Sequence, residues 1–137
     1  MTLGDKDTAI LQHMVEHALQ VELTLQRFGR DRAAFNRDFL FRNALSMPIF
    51  AITELAKHLS KEFRDTYDEI PWQLIGSMRN RFAHEYNAID WDICWNTAIE
   101  DIPMLSQFAV NILQRNNQPV PTLTDVETDI TIYGKGD

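Results

Sequence analysis

Eight residues near the middle of the chain, Arg-Asn-Arg-Phe-Ala-His-Glu-Tyr at positions 79 to 86, gather side chains that could act on a phosphodiester. Arg79 offers a planar guanidinium fork that suits phosphoryl oxygens and their developing negative charge. His84 offers an imidazole, a group whose ordinary pKa of about 6.5 lets it move protons near neutrality. Asn80 precedes His84 by four residues, so on a helix both face one way, and the amide could orient the imidazole or the phosphate. Arg79 to His84 is a five-residue step, about 140° around an ideal helix. The two can converge on one cleft if the helix ends or unwinds near His84. One histidine cannot readily make both proton transfers when RNA is cut by its own 2′-hydroxyl; a symmetric dimer would supply two histidines and two arginines in one cleft. A purely structural reading stands beside this one. Cations at a helix C-terminus are stabilised by the macrodipole, and Arg81 and His84 could serve only that purpose.

Other constellations carry less. His13, Glu16 and His17 match the H-x-x-E-H pattern in which two histidines one helical turn apart hold zinc. A third ligand is needed, and neither His58 nor His84 stands at a recognisable spacing, so these residues are expected to form helix surface, with no metal site. Cys94, the only cysteine, excludes internal disulfides and multi-cysteine metal sites, and between Ile93 and Trp95 it reads as a small buried hydrophobe. There is no G-x-x-x-x-G-K, G-x-G-x-x-G or G-x-S-x-G run, so a nucleotide-binding loop and a serine elbow of those types are excluded and no cofactor is expected.

The elements that must position residues 79–86 are helical. Ile10, Met14, His17, Val21, Leu25 and Phe28 recur at three- and four-residue spacing, which predicts a helix from about Asp7 to Phe28 with Gly29 as its stop. A second periodic run from Asp31 carries Phe35, Phe39, Leu45, Ile49, Ile52 and Leu59, with Pro48 expected to bend or divide it. After a polar link, Pro71 should lie in the first turn of a third helix that the motif closes. A last helix should start at Asp90 as N-cap, run to Leu113 and kink at Pro103. The expectation is one all-α domain over residues 1–115, an up-and-down bundle of four or five helices, followed by an extended or disordered tail over 116–137. A short strand-like piece near Ile130 to Tyr133 would need a partner to pair with.

The chain has 137 residues, a formal net charge of −7 and 45% hydrophobic residues, so one soluble domain is expected, without a membrane span. No secretory signal is visible at the N-terminus, which makes the cytoplasm the expected compartment. The charge is unfavourable for nucleic acid, but it is unevenly spread. Arg27, Arg30, Arg32, Arg37 and Arg42 stand against Asp31 and Asp38, a local balance of +3. These arginines could equally be a solvated helix surface.

Residues 70–86, Ile-Pro-Trp-Gln-Leu-Ile-Gly-Ser-Met-Arg-Asn-Arg-Phe-Ala-His-Glu-Tyr, closely resemble the HepT-like branch of the HEPN superfamily, whose signature is R-x-x-x-x-H-x-Y after a proline-tryptophan helix start. Ile52 to Lys57 resembles the family's I-G-E-A-A-K segment, departing from it at Thr53 and Leu55. The resemblance covers roughly residues 5 to 115. It implies a homodimeric HEPN-like bundle with a composite cleft, acting as a toxin of a toxin–antitoxin system that cleaves RNA without metal. Arg79 and His84 are then the catalytic pair and Asn80 their polar support. It also implies a partner, an MNT-type nucleotidyltransferase antitoxin that silences the toxin by transferring AMP to the motif tyrosine, here Tyr86. The alternative is a non-catalytic helical interaction module that dimerises and binds the nucleotidyltransferase.

Overall fold

The computed structural model describes residues 2–126. Among them the chain forms α1 (Asp5–Arg27), α2 (Arg32–Arg37), α3 (Phe39–Lys57), α4 (Lys61–Thr66), α5 (Trp72–His84), α6 (Trp91–Asn96) and α7 (Ile102–Arg115). A 3-10 turn, Tyr86–Ala88, follows α5. A π-helical segment, Thr97–Asp101, joins α6 and α7 into one rod. The fold is all-α. Four long rods, α1, α3, α5 and α6–α7, make the bundle, and α2 and α4 are short connecting helices.

The helix limits have local causes. α1 buries Ile10, Met14, Val21 and Leu25 and ends where Gly29 takes a φ of 69°, a left-handed conformation that costs glycine little. The apolar run after Asp31 divides at Asp38, not at Pro48. Asp38 is extended and its carboxylate accepts from Leu40 N at 2.9 Å, which satisfies an amide at the start of α3. Pro48 is buried inside α3, which continues through it; the missing N–H is tolerated where the ring joins the core. The polar link contains α4, capped by Ser60, whose hydroxyl accepts from Phe63 N at 3.1 Å. Asp7 in turn accepts from Ser60 N at 2.9 Å and Ser60 Oγ at 2.7 Å, tying the start of α4 to the start of α1.

Pro71 stands one place earlier than expected, as the residue that caps α5. Asp90 caps α6 as expected, accepting from Asp92 N at 2.9 Å and Ile93 N at 3.3 Å. Pro103 lies in the first turn of α7, immediately after the π segment. The wider π turn is where the backbone accommodates the hydrogen bond that proline cannot donate.

α1 packs against α3 and α7, and α3 packs against α5. At one end of the core Phe28 stacks on Phe41 at 4.4 Å, and Phe35 meets Phe41 edge-on at 5.3 Å. Cys94 is fully buried, and desolvation pushes its thiol up to about 12. It is a protonated core residue, not a nucleophile.

Past Arg115 the described residues lie against the bundle. Gln12 Nε2 donates to Pro119 O at 2.9 Å, residues 123–126 form a helical turn, and Val126 is buried. The strand-like piece expected near Ile130 to Tyr133 falls outside the described residues. Among the described residues no helix is long and apolar enough to cross a membrane.

Candidate active site

Three contacts define how α5 lies on α3. Arg79 pairs with Glu54, Phe82 packs on Phe50 with ring centres 5.8 Å apart, and Tyr86 reaches Asn43 and Ser46. As α5 advances α3 recedes, so the two helices run antiparallel. Buried Phe82 sits between the polar contacts, with partly buried Ile75 and Met78 also facing the core.

Arg79 is held closely. Its side chain is only 19% exposed, its Nε donates to Glu54 Oε2 at 2.5 Å, and its Nη1 donates to Asn80 Oδ1 at 3.2 Å. A guanidinium has five donors. Those that Glu54 and Asn80 do not occupy form an edge able to meet a phosphate. The hydrogen bond from Arg79 holds the Glu54 carboxyl below the ordinary glutamate value, against partial burial, with His58 and the nearby cations adding to the effect. Glu54 Oε1 also stands 3.4 Å from His58 Nε2. A carboxylate therefore bridges the motif arginine and a second histidine that lies outside the motif.

His84 is the last residue of α5 and is exposed. Glu85, at φ −137° and ψ 41°, ends the helix, and its amide donates to Arg81 O at 2.8 Å. Because α5 stays helical through His84, Arg79 and His84 are separated by about 7.5 Å of rise and about 140° of rotation. No described hydrogen bond joins them. Asn80 is brought to Arg79, not to His84.

Tyr86 opens the 3-10 turn and folds back onto α3. Its hydroxyl lies 2.9 Å from Asn43 Oδ1, to which it donates, and 3.0 Å from Ser46 Oγ. With the phenol's one proton on Asn43 Oδ1, the contact with buried Ser46 is made by the serine hydroxyl donating, and Ser46 Oγ also lies 3.4 Å from Asn43 O. The Tyr86 ring meets Trp91 edge-on at 5.8 Å and remains 40% exposed.

Glu54, His58, Asn43 and Ser46 are the site residues that the motif does not announce. They lie 25 to 43 residues from their contacts on or beside α5, or touch them only through Glu54. Their one trace in the sequence is the spacing of 43, 46, 50, 54 and 58 at three and four residues, which puts them along one side of α3. The other candidates are not assembled. His13 Nδ1 faces Glu16 at 3.3 Å and His17 Nδ1 faces Gln20 at 2.9 Å. Among the described residues no three His, Cys, Asp or Glu side chains stand together as metal ligands.

The family model for ribonuclease HepT-like proteins matches residues 16–112 of this chain. A protein named "Putative RNase" from Caldanaerobacter subterraneus subsp. tengcongensis is 34% identical over 103 residues, which is 74% of this chain and 92% of that protein. A Methanocaldococcus jannaschii protein named "Gamma-glutamylcyclotransferase and putative RNase" is 31% identical over 113 residues, 80% of this chain and 49% of its own length. "Probable ribonuclease HepT" of Thermococcus cleftensis is 37% identical over 54 residues, 39% of this chain and 49% of its own. The chain thus spans about half the length of the latter two. No solved structure matches it.

The lowered Glu54 value gives a direct test of the arginine's anchor. The carboxylate's contribution to stability is present above its unfolded value and is lost as pH falls through the lower folded one. A carbon-detected NMR titration should place the Glu54 midpoint below the ordinary 4.5. Arg79→Ala should move it upward; a midpoint indifferent to that substitution would mean that the pair does not form in solution.

Proposed function

The chain belongs to the HepT-like ribonuclease family, and from that premise we propose that it is a metal-independent endoribonuclease toxin whose cleft forms between two copies of the chain. The observation that carries the reading is Arg79. An arginine fixed by Glu54 and Asn80, with part of its fork unoccupied, stands five residues before an exposed histidine at a helix end. This suits a phosphate that must be gripped while protons move beside it.

In the proposed reaction the ribose 2′-oxygen attacks the adjacent phosphorus and gives up its proton to one imidazole. The P–O5′ bond breaks, and the departing 5′-oxygen takes a proton from a second imidazole. The products are a 2′,3′-cyclic phosphate and a 5′-hydroxyl. Arg79 balances the charge that builds on the non-bridging oxygens, and Asn80 steadies the guanidinium. Since one chain holds a single His84, a twofold dimer that juxtaposes two motif helices provides both imidazoles. Exposed apolar side chains on the two helices that build the site support such an approach: Leu40 and Met47 on α3 are 60% and 67% exposed, and Leu74 on α5 is 70% exposed.

The second part of the proposal concerns control. Tyr86 follows His84 by two residues, and an MNT-type nucleotidyltransferase antitoxin silences the toxin by transferring AMP from ATP to its phenol. The phenol oxygen attacks the α-phosphorus, pyrophosphate leaves, and the attached phosphodiester brings negative charge beside the cleft that RNA phosphates must enter. The partial exposure of Tyr86 supports its role as acceptor.

Purified protein without its partner should cleave RNA in EDTA. Arg79→Ala and His84→Ala should each lower cleavage by at least about 100-fold while light scattering still reports a folded dimer. Cleavage that survives in both variants would remove the assignment and favour the interaction-module alternative. After incubation with the nucleotidyltransferase and ATP, intact-mass analysis should show added AMP that is absent from Tyr86→Phe; an adduct that persists in that variant would place the acceptor elsewhere.

A further inference from the structure

Residues 27–42 hold five arginines and two aspartates, a balance of +3, so the rest of this −7 chain carries −10. The fold brings two further acids, Glu22 and Asp92, against this segment, which lowers its balance to +1 and leaves the positive charge on the arginines that have no acid partner. Asp31 and Asp38 direct carboxylate oxygens to backbone amides, accepting from Ala33 N at 3.0 Å and Leu40 N at 2.9 Å. Arg30 pairs with Glu22 and Arg32 with Asp92. Arg37 is exposed and makes no ion pair among the described residues.

Two arginines of this segment are set on aromatic rings. Arg42 lies 5.5 Å from the centre of the Trp91 ring and donates Nη1 to Asn36 O at 2.8 Å. Arg32 lies 5.6 Å from the centre of Trp95.

This region is continuous with the candidate active site. The Trp91 ring touches Tyr86, and Tyr86 is bonded to Asn43, the neighbour of Arg42. From Glu54, which holds Arg79, back to Arg42 is about 18 Å of α3 at 1.5 Å per residue. Phe39, one turn before Asn43 on the same side of α3, is 61% exposed and offers a ring on which a base can stack.

We propose that this arginine and aromatic surface, running from Trp91 and Arg42 to Arg37 and Phe39, is the track for single-stranded RNA flanking the scissile phosphate. The proposal rests on the ribonuclease reading above. In an acidic molecule, a strand is drawn only where the local balance is positive, and here that region adjoins the chemistry. Arg37 contacts a phosphate and Phe39 stacks a base. Arg42, whose donors are turned to α2 carbonyls, is the fixed floor between them.

The test uses the full chain carrying His84→Ala, with a single-stranded oligoribonucleotide followed by fluorescence anisotropy over a range of salt. Adding Arg37→Ala should weaken binding and make the slope of log K against log salt shallower by about 0.7. Adding Phe39→Ala should weaken binding roughly tenfold without changing the slope. Lys61→Ala, which removes an exposed cation paired with Asp65 on α4, should change neither. An unchanged slope in Arg37→Ala, or an equal change in Lys61→Ala, overturns the track. So does an Arg37→Ala chain that keeps RNA affinity but loses the nucleotidyltransferase, since the surface then docks protein. If wild-type protein cleaves RNA while the slope is indifferent to Arg37, only the track falls; if it neither binds nor cleaves RNA, the ribonuclease reading falls with it.

Discussion

The antiparallel seat of α5 on α3 is the constraint on which the rest depends. It is fastened by a guanidinium–carboxylate pair, Arg79 with Glu54, by two aromatic rings, Phe82 on Phe50, and by a phenol held between Asn43 and Ser46. The middle contact is apolar and sets how deeply the helix sits. The outer contacts are directional, so they set its rotation and register. An arginine this enclosed would be costly without a partner, and the glutamate offsets that cost while leaving part of the fork open. The two outer fastenings therefore do two things: they hold α5 in place, and they position Arg79 and Tyr86, groups that the proposed chemistry needs.

The same economy governs charge. Asp31, Asp38 and Asp90 act as helix caps, turning to backbone amides at the starts of α2, α3 and α6. Placing acids there supports the starts of three helices, two of which, α2 and α6, are only six residues long and too short to be stable alone. In a chain of net charge −7, Arg30 and Arg32 are paired with Glu22 and Asp92, while Arg37 stays exposed without an ion pair among the described residues.

What the sequence disclosed and what it withheld follow from the range of the interactions involved. α1, its glycine stop and the Asp90 cap were legible because each is decided within a few residues. The R-x-x-x-x-H-x-Y motif was legible for the same reason, being a fixed spacing on one helix and the turn after it. The sequence points to Pro48 for a break that the structure puts at Asp38, because proline is the louder signal, although a capping carboxylate decides where a new helix can start and a proline accepted by the core does not end one. α4 lies where the sequence suggests only a link, because six residues give little periodicity, and only Phe63 and the Ser60 cap reveal it. The π segment before Pro103 has no pattern of its own. In the site, Glu54 is visible as part of a resemblance, and Asn43 and Ser46 leave only a helical spacing, because which side of α3 meets α5 is settled by packing across the bundle. The H-x-x-E-H match shows the reverse case, a legible spacing whose side chains turn to near neighbours, Glu16 and Gln20.

The central claim is that two imidazoles and a fixed arginine cut RNA through its own 2′-hydroxyl. The most direct measurement is the chemistry of the ends produced by purified wild-type protein in EDTA, read by mass spectrometry of the fragments. The account predicts 2′,3′-cyclic phosphate and 5′-hydroxyl ends, and no cut at a position where the ribose is replaced by 2′-deoxyribose. Fragments with 3′-hydroxyl and 5′-phosphate ends, or cleavage that persists at the deoxy position, would contradict it.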